Sequence, residues 1–362
     1  MPADGQAETT SNARVTLRDV AAHAGVAMST ASLVFSGNKP VAEATAERVR
    51  AAAAELGYGG PDPMASSLRQ GRSGVIAAVV ERRILHAFRD PYVVSVLDGL
   101  SQVVGEMGCG LLLLPDTAEG YGDSGPQVSR VVADAAVFML CGDENNALAT
   151  QFAARGTPIV GTGAPKGDGI VQVTADERAA SRSVAELLHG LGHRRVGHIM
   201  MPLRWGGTTG QRSLAQVRRS PFPDTRDRAL GVRDVFARAT LIEAQESDFD
   251  SGYAAARLLL ESDQPPTAII AQSDLLAAGA VHAALDRGLR VPDDVSVTGY
   301  DGVSLPWFPR RLTTIDQHPI EKGRAVGEAV RLLLAGEQVA DVTVPVTLRE
   351  GDTTGPVPRA RD

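Results

Sequence analysis

The chain has 362 residues, 43% hydrophobic and 22% charged, with a formal net charge of −7. This composition suits a globular protein of two or three domains and excludes a polycation, so any nucleic-acid contact has to rest on a local patch. Two cysteines, Cys109 and Cys141, exclude a disulfide framework or a cysteine-rich zinc site, and no run approaches the roughly 20 apolar residues of a membrane span.

Residues 1–13 are polar and are expected to be a disordered tail. They show no signal peptide, so a cytoplasmic location is expected. From 14 to 60 the pattern is that of a small helical domain. "TLRD" has the capping-box spacing, with Thr16 capping a helix whose third position is Asp19; Gly25 ends that helix. A second helix is expected from Met28 to Phe35, stopped by Gly37. A third carries Val49, Ala52, Ala53 and Leu56 on one face and ends at Gly57. "GGPDP" then reads as a linker and "MASSLRQGRSG" as a short helix, so 61–73 is expected to be a linker and hinge.

From Val75 apolar runs alternate with helical stretches. Strands are expected at VIAAVV, LLLL, AVFML, PIVG, GIVQVT, VGHIM, LIEA, AIIA and VSVTGYD. Helices are expected through Val93–Met107, Asn146–Arg155, Glu177–Leu191, Ala229–Arg238, Ser251–Leu260, Leu275–Arg287 and Glu321–Leu334. Short continuous apolar strands separated by helices mean parallel sheets covered on both faces, here in two lobes. The stretch Leu203–Asp227 is rich in Arg, Ser, Gly and Pro and is expected to be a mobile surface loop.

Helix, glycine turn, helix, helix is the layout of a helix-turn-helix, whose second helix enters the major groove of DNA. Met28, Ser29, Thr30 and Ser32 supply short polar and slim contacts, while Ala31, Val34 and Phe35 can face inward. From Arg14 to Arg72 there are seven basic and five acidic residues, a net of +2 against the acidic whole. That is the sign DNA requires.

"TLRDVAAHAGVAMSTASLVFSG", "RVRAAAAELGY" and "ASSLRQGRSGVIAAVV" resemble the lactose-repressor (LacI/GalR) family of transcriptional regulators. So do "ADERAASRSVAELLHGLGHRRVGHI", "TAIIAQSDLLAAGAV", "GLRVPDDVSVTGYDG" and "LTTIDQ", and the resemblance runs from Val15 to about Val346. It implies an α/β chain with an N-terminal all-α helix-turn-helix headpiece and a two-lobed periplasmic-binding-protein-like sensor with parallel sheets. The sensor would span 74–355, with lobe 1 at about 74–191 and 318–346, lobe 2 at about 192–317 and 347–355, and a tail at 356–362. The implied function is a repressor that binds a pseudo-palindromic double-stranded operator as a homodimer under control of a small-molecule effector, a sugar or similar polyol. The polar end "LREGDTTGPVPRARD" lacks apolar heptads, so a dimer is expected rather than a tetramer.

The resemblance places DNA contacts at Thr16, Met28, Ser29, Thr30, Ser32, Leu33 and Asn38. At the hinge it places them at Ala65, Leu68 and Arg69, with Leu68 as a wedge in the minor groove. Ala27 and Ala42 stand where the family has a capping serine, each loss costing about 1 kcal/mol. Leu33 stands where many members carry a base-reading Arg or His; it can touch a thymine methyl but cannot hydrogen-bond.

Effector positions of the family match Tyr92, Asp176, Arg228, Phe249, Asp301 and Gln317, and Ser273 replaces the usual Asn. Asp176, Asp301 and Gln317 offer acceptors for hydroxyls, Arg228 a fork of donors, and Phe249 and Tyr92 flat faces. Trp307, just past Asp301, is a further stacking candidate. "GDSGP" and "GTGAPKGDG" resemble a protease serine motif and a phosphate loop only superficially, because the first belongs to an all-β fold and the second lacks its Lys-Ser/Thr ending. The seven histidines show no metal spacing, and no nucleophile–base pair stands out. No catalytic residue, metal or cofactor is therefore expected. The alternatives are a solute-binding protein of transport type, which would leave 15–72 without a job, and a sugar-modifying enzyme on the same scaffold.

Overall fold

The computed structural model describes residues 15–36, 39–60, 71–81, 84–116, 131–139 and 142–358. It divides into two compact units, one ending at Ser73 and the other starting at Gly74. The expected tail, Asn38, the hinge residues Ala65, Leu68 and Arg69, "GDSGP" and Cys141 lie outside the described residues.

In the first unit, α1 (Leu17–His23), α2 (Met28–Ser36) and α3 (Glu43–Leu56) close on a small core of Val20, Ala21, Ala31, Val49, Ala52 and Ala53. Helices this short do not persist alone, so the shared core and the caps hold them. Thr16 and Asp19 form the reciprocal capping box, Gly25 turns the chain at φ +64°, and Gly57 ends α3 in the left-handed region. Phe35 meets Tyr58 edge-on at 5.5 Å. Ala42 caps α3 with no side-chain hydrogen bond.

The second unit holds two sheets. The first is parallel throughout, in the order β12 (Val342–Thr343), β5 (Ile170–Thr174), β4 (Ile159–Gly161), β3 (Ala135–Met139), β1 (Val75–Glu81), β2 (Gly110–Asp116). The second runs β10 (Ser296–Thr298), β9 (Ala268–Ala271), β6 (Val196–Met200), β8 (Thr240–Glu243), β7 (Gly210–Gln211), parallel except for the antiparallel edge β7. β3 and β9 are buried at every residue, as strands covered on both faces must be. In the first lobe α4 (Ile84–Ala87) follows β1, α6 (Ala147–Ala153) follows β3, and α5 (Pro91–Glu106) packs on α12 (Pro319–Leu334). In the second, α10 (Phe249–Leu260) packs on α11 (Asp274–Asp286), and α7 (Glu177–Gly190) on α9 (Pro223–Val235).

The helix pairs meet at glycines. A Cβ on Gly99 of α5 would stand 1.9 Å from the Ile320 carbonyl, and one on Gly323 of α12 would stand 2.1 Å from that of Val96. Gly252 and Gly279 make the same close approach between α10 and α11.

Two expectations need correction. α7 packs on the second lobe, where Ala180, Val184, Ala185 and Leu188 join Val196, Val232 and Leu241, so the first passage between lobes comes at 175–176 rather than at 191. The chain passes between lobes twice more, at 317–318 and 344–346, beside β11 (Thr314–Asp316), β12 and β13 (Thr347–Arg349). These strands are two or three residues long, too short for an apolar run to mark them. Leu203–Asp227 is not a mobile surface loop: it contains β7, α8 (Leu214–Arg218) and the start of α9, and buries Leu203, Val217 and Phe222. Its polar residues serve as caps and anchors, among them Ser213 and Gln216 in a capping box. Among the described residues no helix is long and apolar enough to cross a membrane.

Candidate effector cleft and DNA-reading helix

In α2, Ala31 faces inward and Val34 and Phe35 pack against the core. Met28 and Ser29 are exposed, and Thr30, Ser32 and Leu33 are half-buried. The helix thus presents a slim, hydroxyl-bearing surface at its N-terminal end, the end that reaches base edges in this motif. Thr16 is exposed, its hydroxyl donating to Asp19 Oδ2 at 2.7 Å.

In the second unit a cavity of about 190 Å³ opens between the lobes. Tyr92 and Lys322 line it from the first lobe, and Trp205, Phe222, Asp224, Arg228, Ser273 and Asp301 from the second. Five carboxylates reach its wall, from Asp90, Asp224, Glu246, Asp248 and Asp301. Both buried cations there are engaged. Arg228 donates through Nε to Glu177 Oε2 at 2.7 Å and through Nη1 to the Gln272 carbonyl at 2.7 Å, and its guanidinium lies 3.8 Å from the Tyr300 ring centroid. Tyr300 also donates to Glu177 Oε2, at 2.6 Å. Burial alone would raise Glu177, but the Arg228 and Lys322 charges outweigh it and hold the carboxyl below its ordinary range.

Lys322, also buried, donates to Tyr92 Oη at 3.0 Å. Burial works against its charge, yet Tyr92, Glu177 and Asp224 around it keep its pKa above the usual value. Burial, opposed by Lys322, pushes Tyr92 up to about 12, so its hydroxyl stays protonated. It donates to Gln317 Oε1 at 3.1 Å, and Gln317 Nε2 donates to Asp301 Oδ1 at 3.0 Å. This chain of bonds joins the two lobes at the 317–318 passage. Asp301 Oδ2 accepts from the Asp274 backbone N–H at 3.1 Å, and Asp274 accepts from Thr314 at 2.6 Å and Val303 at 2.9 Å. Burial pushes Asp274 up to about 7. Burial, with the Asp274 charge beside it, pushes Asp301 well above the carboxylate range. Asp301 and His318 are the non-glycine residues at positive φ among the described residues, +125° and +46°. Strain of this kind gathers where geometry serves a site.

The sequence candidates therefore divide. Tyr92, Arg228, Ser273 and Asp301 line the cavity, and Gln317 stands directly behind it. Ser273 caps α11, its Oγ accepting from the Leu276 N–H and from the Ser247 hydroxyl, each at 3.2 Å. Asp176 is exposed and outside the wall, its carboxylate accepting from the Ala179 N–H at 2.9 Å as the cap of α7. Phe249 and Trp307 also fall outside the wall: they meet edge-on at 5.6 Å, and Trp307 is 53% exposed.

Residues 16–60 match the family described as bacterial regulatory proteins, lacI family, and residues 185–354 the periplasmic binding protein-like domain. An HTH-type transcriptional regulator of Mycobacterium tuberculosis is 33% identical over 359 residues, covering 95% of this chain and 98% of its own length. The chain belongs to the LacI family. A second relative, the HTH-type transcriptional regulator CelR of Thermobifida fusca, is 29% identical over 92% of the chain and 95% of its own. Among solved structures, a lac repressor dimer bound to operator and an anti-inducer has the same fold, with TM-score 0.76 and 24% identity over 94% of this chain and 99% of that one. A CelR–cellobiose complex superposes with TM-score 0.66 and 25% identity, over 94% and 100%. The protein is accordingly a DNA-binding transcriptional regulator, and the transport alternative is not favoured.

Several residues in or behind the cleft of this LacI-family chain escaped the sequence reading: Lys322, Asp224, Trp205 and Phe222 in its wall, and Glu177 behind Arg228. Glu177 follows the predicted Asp176 and is the inward member of that pair. Lys322 is a lysine in the first turn of a helix, a position that ordinarily reads as solvated charge.

Proposed function

We propose that the protein is a repressor whose operator affinity is set by an uncharged, one-ring polyol bound between the lobes. The observation that carries this reading is that Arg228, the buried guanidinium of the cavity wall, is closed onto Glu177 and the Gln272 carbonyl, while the wall is rich in acidic residues with which hydroxyl groups can bond. A phosphate or carboxylate ligand would meet Arg228 already closed off, with Asp90, Asp224, Glu246 and Asp248 in the wall against one exposed arginine, Arg89. An apolar cavity of about 150 Å³ takes benzene, so one of about 190 Å³ suits one six-membered ring.

On the DNA side, α2 enters the major groove of each half of a pseudo-palindrome with Met28, Ser29, Thr30, Ser32 and Leu33 toward the bases, and Thr16 and Asn38 toward the backbone. Ala65, Leu68 and Arg69 fill the minor groove between the halves. Homodimerisation is supported by exposed apolar side chains on the sensor, Leu85, Phe88 and Val94 on one lobe and Leu258 and Leu285 on the other. A cytoplasmic location follows from the operator partner.

Selection of binding sites from a random double-stranded DNA library tests the reading, followed by mobility-shift titration of the selected site with neutral and phosphorylated monosaccharides. A pseudo-palindromic consensus whose complex responds to a neutral sugar is expected. A single asymmetric half-site, or a response confined to phosphorylated sugars, would overturn it.

A further inference from the structure

We propose that Asp301 meets the effector as a neutral carboxylic acid, donating a hydrogen bond to it, while Asp274 behind carries the charge of the pair; the donor role rests on the one-ring polyol reading above. The two side chains are neighbours in the interior. Asp274 is fully buried, Asp301 is 6% exposed on the cavity wall, and the Asp274 N–H donates to Asp301 Oδ2 at 3.1 Å. Two charged carboxylates held together out of water repel each other, so such a pair keeps a proton unless a cation neutralises it. The cations whose charge reaches the pair are engaged elsewhere, Arg228 with Glu177 at 2.7 Å and Arg349 with Asp316 at 3.2 Å. The remaining titratable groups that face it give no relief. Asp90 adds negative charge, Tyr92 keeps its proton, Lys322 donates to Tyr92, and His318 lies against Asp316.

The hydrogen bonds decide which acid holds the proton. Asp274 accepts at both oxygens, from the Thr314 hydroxyl at 2.6 Å and the Val303 N–H at 2.9 Å, and the Gly302 N–H bonds to it as well. Gly299 lets the backbone come this close, since a Cβ there would stand 2.2 Å from Asp274 Oδ1. Donors converging on a carboxylate favour its charged form. Asp301 accepts two bonds, from the Asp274 N–H and from Gln317 Nε2, and sits beside the Asp274 charge. The proton therefore belongs to Asp301. A neutral acid can donate to a ring or hydroxyl oxygen, which an ionised carboxylate cannot do.

Infrared spectroscopy of the full-length protein reads the proton without any ligand, because a protonated carboxyl absorbs apart from ionised carboxylates. The parent should show a protonated-carboxyl band at pH 7.5 that Asp301→Asn removes. As pH is raised, the band should disappear earlier in Asp274→Asn than in the parent, because the neighbouring charge that holds the proton is gone. Calorimetric titration with D-glucose, D-galactose, D-xylose and myo-inositol reads the donor. Affinity for the sugar that binds should fall tenfold or more over the pH range in which the band disappears, and Asp274→Asn should move that fall to lower pH. Should either variant not fold, the parent still decides, since its band and its affinity must fall together. No band in the parent at pH 7.5, a band that survives Asp301→Asn, or an affinity unchanged as the band disappears would overturn the assignment. If the parent binds none of the four sugars, the one-ring polyol reading fails and the donor role with it, while the infrared band separately decides which acid holds the proton.

Discussion

Glu177 and Arg228 face each other inside the second lobe, both buried, with Oε2 and Nε 2.7 Å apart. Such a pair adds little net stability by itself, because desolvation offsets the attraction, but removing one member strands the other. Glu177→Ala is expected to cost about 3–5 kcal/mol in urea denaturation. Glu177→Gln should cost less, because the amide oxygen still accepts from Arg228. It should also give the cleft a measurable affinity for sulfate that the parent lacks.

Asp301 and Asp274 set a pH dependence. Both hold their protons more tightly folded than unfolded, Asp274 with its pKa near 7 and Asp301 above the ordinary range. The unfolded carboxyls release theirs near pH 4. Between about pH 4 and 7 the folded state binds the extra protons, so this pair contributes stability that is present at the acid end and lost as pH rises through that window, while His198, pushed down to about 4 by burial, and His193, also pushed down, work in the opposite sense. Glu177, shifted downward, acts only below it. Asp301→Asn, which carries no proton to lose, should make that loss smaller, as read from urea midpoints at pH 5 and pH 7.5.

The bare N-terminus of α3 offers a gain. Ala42 has extended backbone at φ −56°, ψ 133° and no side-chain cap. Ala42→Ser supplies an oxygen for an orphan N–H and should stabilise the headpiece by about 1 kcal/mol. Differential scanning calorimetry of the full chain checks it.

On the operator, Ser29→Ala removes one exposed hydroxyl and should weaken binding by about 1 kcal/mol, a few-fold. Leu68→Ala should lower operator affinity while leaving sugar binding in the absence of DNA unchanged. Equal mobility-shift curves for Leu68→Ala and parent would exclude the minor-groove wedge.

What could be read from the sequence was what depends on near neighbours in the chain. The Thr16–Asp19 box, the Gly25 turn, the Gly57 stop and the fully buried AIIA strand each carry their cause within a few residues. The cleft depends on contacts across the sheets. Asp176 and Glu177 are adjacent acids at a helix start, and nothing local says that the first caps while the second turns inward to Arg228. Lys322 becomes intelligible only once Tyr92, 230 positions away, is beside it. Residues 203–213 were misread because their arginines and glycines have the composition of a loop, although Glu243 accepts from Arg212 and from the Leu203 N–H.

The glycine seams at Gly99–Gly323 and Gly252–Gly279 leave the paired helices no slack, since backbone already touches backbone there. Close-packed interfaces of this kind transmit displacement rather than absorb it. Each lobe therefore behaves as a stiff plate. A ligand that closed the cleft would act on the short passages at 175–176, 317–318 and 344–346. His318, wound into the left-handed region at φ +46°, stands at one of them.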